Sequence, residues 1–242
     1  MEASTVYYTD FRCPVGTSLT EKLRRLCIAA GIKNIDMEGR FVAIKIHFGE
    51  LGNLAYLRPN YAKVVADLCK EQGGMPFLTD CNTLYPGSRK NALEHLTCAQ
   101  LNGFWPMTTG CQVIIADGLR GTDEVEVPVP NGEYCKTAKI GRAIMDADIF
   151  ISLSHFKGHE STGFGGAIKN IGMGCGSRAG KMEQHASGHP AVQEDLCRGC
   201  HRCAKECGSD AIRYNEKNKA VIDQDKCKGC GRCIGACNFD AI

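Results

Sequence analysis

The sequence predicts an α/β protein in two parts, a mostly parallel, helix-flanked sheet with an edge β-hairpin over 1–190 and a small α+β module over 191–242. Three observations predict it. Short β-rich apolar runs alternate with amphipathic helical stretches as far as residue 153, and strands joined through helices pair in parallel. One break in that alternation, V-x-V-x-V followed by N-G at 131–132, has the pattern of a hairpin. Beyond residue 190 the chain holds a duplicated cysteine motif too compact to belong to such a sheet.

Residues 6–9 are the first strand candidate. A helix follows, opened by the capping box of Ser18 and Glu21 and carrying Leu19, Leu23, Leu26, Cys27 and Ala30 on one stripe until Gly31. The apolar run 41–46 is a strand, interrupted only by Lys45. Pro59 opens a second helix, with Val64, Val65, Leu68 and Cys69 inward and Gly73 as its stop. Strand 75–78, helix 88–102 closed by Gly103, and strand 112–116 come next. The hairpin occupies 124–140, with Pro128 and Pro130 on one face, as on a sheet edge. A short helix at 140–146 and a strand at 148–153 complete the body.

Four strand candidates run straight into polar residues: KIHFGE (45–50), TDCNT (79–83), DG (117–118) and SHFKGHE (154–160). In a parallel sheet these ends share one edge, where open α/β folds bind ligands. The candidate catalytic residues are therefore Lys45, His47, Asp80, His155, Lys157 and His159. Taken singly, Asp80 and Asp117 also read as turn or cap acids. Lys45 is harder to dismiss, because lysine is rarely buried without a partner. In an extended chain His155, Lys157 and His159 point the same way. The glycine-rich stretch TGFGGAIKNIGMGCG (162–176) makes Gly163, Gly165, Gly166 and Lys169 candidates for cradling an anion, or else a packed turn. It matches neither nucleotide-binding glycine signature.

The module reads CRGCHRCAKEC at 197–207 and CKGCGRCIGAC at 227–237, the same C-x₂-C-x₂-C-x₃-C spacing offset by 30 residues, followed by SDAI and FDAI. This is the spacing of bacterial two-cluster ferredoxins, whose fourth cysteine ligates the other cluster. Two [4Fe–4S] clusters are expected, one on Cys197, Cys200, Cys203 and Cys237, the other on Cys227, Cys230, Cys233 and Cys207. Zinc or disulfides leave the third and fourth cysteines unexplained. The proline that usually follows the fourth cysteine is replaced by Gly208 and Asn238, neither of them a ligand position. Arg198, Arg202, Lys226, Lys228 and Arg232 flank the ligands and are expected to raise the reduction potentials.

The eight remaining cysteines form no disulfide-like framework, which points to a reducing compartment in an anaerobe. No signal peptide is visible, and no apolar run approaches the roughly 18 residues of a membrane helix. A net charge of +2 argues against nucleic-acid and membrane-surface partners. A cytoplasmic iron–sulfur electron-transfer protein is expected. Its partners would be a soluble electron carrier or redox enzyme, with a small anionic substrate at the sheet edge. A non-catalytic carrier or maturation factor, and a non-redox enzyme with structural clusters, are the alternatives.

The blocks KIHFGE (45–50), LTDCNTLY (78–85), ADG (116–118), SHFKGH (154–159) and GFGGAIKNIGMG (163–174) resemble a family of bacterial and archaeal iron–sulfur cluster-binding proteins classed as a domain of unknown function. That resemblance implies cluster binding and marks these blocks as the family's shared features. Similar proteins continue past the ferredoxin-like segment, so Ile242 is read as the end of a shortened form.

Overall fold

A computed structural model describes residues 3–85, 87–159, 162–185 and 189–242. The elements of the body are α1 (Leu19–Ala29), β1 (Phe41–Ile46), α2 (Pro59–Lys70), β2 (Met75–Asp80), α3 (Ala92–Leu101), α4 (Pro106–Thr109), β3 (Gln112–Ile115), β4 (Glu124–Pro128), β5 (Thr137–Gly141), α5 (Arg142–Met145) and β6 (Ile149–Leu153). After them come β7 (Lys157–His159), β8 (Gly163–Gly165), α6 (Ala167–Gly172) and α7 (Arg178–Gln184). The C-terminal module adds α8 (Arg202–Lys205), β9 (Ile212–Tyr214), β10 (Ala220–Ile222) and α9 (Arg232–Ala236).

The main sheet has the order β3-β2-β1-β6 and is parallel throughout. Its central strand β1 is buried from Val42 to Ile46, as a strand covered on both faces must be. Val42, Ile44, Ile46 and Phe48 pack against Val65, Ala66 and Cys69 of α2 and against Phe104, with Phe48 and Phe104 edge to face, centroids 5.3 Å apart. Helix α1 starts where the capping box places it, Ser18 Oγ accepting from the Glu21 N–H at 3.1 Å. Ser18→Ala is expected to cost about 1 kcal/mol, read from the midpoint of chemical denaturation.

Several expectations are corrected. Residues 6–9 form no strand; Val6 and Tyr8 are exposed, because β propensity holds nothing without a neighbouring strand to pair with. The helix expected from residue 88 begins at Ala92, where Asn91 caps it by accepting from the Glu94 N–H at 3.0 Å. Arg89 and Lys90 precede it and turn inward. The hairpin of β4 and β5 is a two-stranded sheet of its own and does not extend the main sheet. Its turn is not the expected type: Asn131 alone has positive φ, at 62°, behind Pro130, while Gly132 does not, which fits a type II turn and not type I′. Residues 178–184, for which no element was expected, carry α7.

The module's two halves repeat in backbone as well as in sequence. Positive φ recurs at Gly199 and Gly229, His201 and Gly231, and Asp210 and Asp240, each pair 30 residues apart. The bonds Asp223 N–H to Ala211 O and Gln193 N–H to Ala241 O, at 2.7 and 2.8 Å, are counterparts in the same way. The module's apolar core also takes in Met182 of α7 and Leu84 from the loop after β2.

Candidate functional site

The carboxyl ends of β1, β2 and β3 bring a buried charge cluster together. Lys45 and Asp80 face each other from neighbouring strands, Nζ to Oδ1 3.0 Å, both nearly inaccessible. Arg89 reaches the other oxygen of Asp80 at 3.3 Å and also pairs with Glu50, while Tyr85 donates to Glu50 at 3.1 Å. Lys45 donates further to Asn170 Oδ1 at 2.8 Å, and Asn170 Nδ2 donates to Ser152 and Ser154 at 3.0 Å. Asn170 of α6 thus ties β1 to β6 across the edge. Gly174 is the condition for this approach: a β-carbon there would lie 2.7 Å from Lys45 Nζ.

Burial pushes the Asp80 carboxyl up, but Lys45 and Arg89 more than reverse it and hold it well below the usual carboxylate range. His95 is fully buried 3.8 Å from Asp80, and burial lowers its pKa to about 3, so the imidazole is neutral. His47 is exposed along one edge, yet the protein around its ring, and then the Arg89 charge, lower its pKa. Its Nδ1 accepts from the Gly49 N–H at 3.0 Å, so in the neutral ring Nε2 carries the proton.

Beyond β2 and β3 lies a second buried group. The Asn82 backbone N–H and side-chain Nδ2 both donate to Asp117 Oδ1, at 2.9 and 2.8 Å. Burial raises Asp117 to about 6, against the pull of Lys181, the Asn82 N–H and Arg178. Because the folded carboxyl holds its proton longer than the unfolded one, this group's contribution to stability falls as pH rises from about 4 to about 6. Asp117→Asn is expected to remove that slope, read from melting temperatures at pH 5 and 7.

His155, Lys157 and His159 do not join the buried cluster. His155 follows β6, whereas Lys157 and His159 sit at alternate positions of β7, paired with β8. His159 Nδ1 accepts from the Thr162 N–H at 3.2 Å. Lys157 and Lys169 pass their aliphatic stems beside Gly165, each within 3.7 Å of where its β-carbon would be. Burial, and then Lys157, lower the Lys169 pKa. Among the described residues neither lysine has an ion-pair partner. Gly166 has a packing role, since its β-carbon would meet the Phe164 ring at 2.6 Å. Gly163 is the left-handed residue that starts β8, with φ 70°. Helix α6 has six residues, too few for its N-terminus to serve as an anion site by itself.

The first three cysteines of the first motif line a cavity together with Cys237 of the second. Its walls are Cys197, Cys200, Cys203 and Cys237 with Tyr214 and Ala241 among their neighbours. The Cys203 thiol is pushed up first by burial and also by Cys200 and Cys237. In the second motif burial, then Cys230 and Cys227, push Cys233 up to about 12. Backbone N–H groups donate to the sulfurs at equivalent places, Ala211 to Cys207 at 3.3 Å and Ala241 to Cys237 at 3.4 Å, while Ala220 donates to Cys197 at 3.4 Å. Among the described residues no three such side chains close around a single ion. Four sulfurs spread over cavity walls, with N–H groups directed at them, suit a cubane.

Arg89, His95, Asn170, Arg178 and Lys181 escaped sequence reasoning. Nothing in their spacing distinguishes them from surface residues; the turn before α3, α3 itself, α6 and α7 bring them to the site.

A parallel α/β body joined to a module with a cysteine-lined cavity defines an iron–sulfur-binding protein. The family model described as "Domain of unknown function (DUF362)" matches residues 42–227, well over half of the chain, and the chain belongs to that family. A model described as "4Fe-4S binding domain" matches residues 219–242, and cluster binding is part of what the chain does. The thylakoid-associated protein sll1697 of Synechocystis sp. is 27% identical over 127 residues, 51% of this chain and 34% of that relative's length. The chain thus spans about a third of that relative. No solved structure matches it. Among the described residues no helix is long and apolar enough to cross a membrane.

Proposed function

We propose that the chain is an electron-transfer component of an anaerobic, cytoplasmic oxidoreductase, holding two [4Fe–4S] clusters and serving a site at the carboxyl edge of the sheet. The observation that carries this reading is the cavity shared by Cys197, Cys200, Cys203 and Cys237, since the crossing of the fourth ligand is what separates a two-cluster module from two independent sites. The repeat puts Cys207 with Cys227, Cys230 and Cys233 in the equivalent arrangement. A [4Fe–4S] cluster, when bound, supplies reversible one-electron transfer. The chain's residues do the rest. Backbone N–H groups at Ala211, Ala220 and Ala241 stabilise thiolate charge.

At the edge, Lys157 and Lys169 hold a small anionic substrate, because among the described residues neither has an ion-pair partner and their charges repel each other until an anion arrives. Lys45 and Asp80, locked together, position β1, β2 and α6 around it. His47, neutral with Nε2 protonated, offers a hydrogen bond there, and His155 or His159 would move protons. A soluble electron carrier or redox enzyme is the partner on the module side. Against this stands a non-catalytic carrier, favoured by one observation: the most deeply buried charges of the edge, Lys45, Asp80 and Arg89, are all committed to one another.

The test is anaerobic purification with mass spectrometry of the bound small molecule. An anion is expected, lost from the variant combining Lys157→Ala and Lys169→Ala. An anion retained unchanged by that variant, or a neutral ligand, contradicts the assignment of the site.

A further inference from the structure

The two halves of the module differ where they meet the body. The repeat has His201 against Gly231 and Lys205 against Gly235, the two places where the second half has glycine and the first a large side chain. Both glycines face Arg178 of α7. A β-carbon at Gly231 would lie 2.4 Å from Arg178 Cγ and Cδ, and one at Gly235 would lie 3.3 Å from Nη2. At the equivalent place in the first half His201 stacks on Tyr214 within the module, centroids 3.7 Å apart.

Arg178 is completely buried. Its Nε donates to Arg120 O at 3.1 Å and its Nη2 to Lys90 O. Its Nη1 has no partner among the described residues. A buried guanidinium N–H left bare is costly, and such groups normally find an acceptor. Gly231, against which it lies, directly follows Cys230. The neighbouring contacts point the same way: Arg120 pairs with Glu206, beside Cys207, at 2.5 Å.

We infer that Arg178 is the body's cationic contact to the cluster of Cys207, Cys227, Cys230 and Cys233, with Nη1 facing its sulfur, and that this cluster faces the body while the cluster of Cys197, Cys200, Cys203 and Cys237 faces outward. The inference rests on the two-cluster reading of the module. A cation held against one cluster favours its reduced, more negative state and raises that potential alone. With both clusters bound, that difference would favour electron flow from the outward cluster to the body-facing one. Arg178 is a positioning residue in this scheme: it contacts the cluster's surroundings and, through Lys90 O and Arg120 O, the loops that end β2 and β3.

The experiment is an EPR-monitored redox titration of the anaerobically prepared full chain with iron content measured on every sample. Arg178→Gln is expected to lower one of two potentials and leave the other in place, and Arg178→Lys to restore most of the difference. In a Cys237→Ser background, which keeps only the body-facing cluster, Arg178→Gln must still shift the potential that is left. If Arg178→Gln loses iron, Gly231→Ala gives the same readout, since its new β-carbon displaces the arginine. Two clusters whose potentials ignore all these changes, or move together, overturn the inference and leave the two-cluster reading standing. An unaltered chain with iron for one cluster fails that reading itself.

Discussion

Asp80→Ala is expected to destabilise the protein by about 3–5 kcal/mol, the scale for removing one partner from a buried ion pair. The size follows from what stays behind. Lys45 and Arg89 are both almost fully buried, and each uses Asp80 as an acceptor. Asn170 and Glu50 still hold them on their other sides, so the lower end of that range is the safer expectation. Replacing Lys45 by Met in the same chain is expected to recover part of the loss, because one uncompensated cation goes with it. The measurement is the shift in denaturation midpoint; a loss below about 1 kcal/mol would mean that water reaches the pair. The pH behaviour has a definite sign. The folded carboxyl of Asp80 is held below its ordinary value, so its stabilisation is complete above about pH 4 and is lost as pH falls below that. Asp117 behaves oppositely, its contribution declining as pH rises toward about 6. The two groups are thereby separable in one pH series.

Cys237→Ser is expected to remove about half of the bound iron, and the half removed is that of the first motif, although Cys237 belongs to the second. Cys207→Ser is expected to do the converse. Iron analysis with EPR of the reduced protein distinguishes the cases, because one signal disappears and the other persists. A Cys237→Ser protein that keeps the first motif's cluster and loses the second's would show that each motif closes on itself. The shared cavity of Cys197, Cys200, Cys203 and Cys237 argues for crossing. Ala241 reinforces it, since its N–H donates to Cys237 Sγ and its carbonyl accepts from Gln193, just ahead of the first motif.

Patterns of period and spacing carried much of the fold. Strand 41–46 and the helix opened by Pro59 stand where the apolar run and the N1 proline placed them, since both signals are local. The convergence of Lys45, Asp80 and Asp117 was legible because parallel strands bring their carboxyl ends to one edge. What sequence concealed is non-local. The commitment of Asp80 to Arg89 depends on a tight turn before Asn91, and an arginine there looks the same whether it faces water or the core. The hairpin separated from the main sheet because pairing between β4 and β5 is specified locally while attachment to a sheet edge is not. Arg178 was hidden most completely. Its place shows only when the glycines that break the module's repeat, Gly231 and Gly235, are found against it.

The most direct measurement of the central claim is the iron and acid-labile sulfide content of the unaltered chain prepared without oxygen. Two clusters on eight thiolates predict about eight irons and about eight sulfides per chain, with about one electron taken up for every four irons. About four irons, or zinc in place of iron, would contradict it.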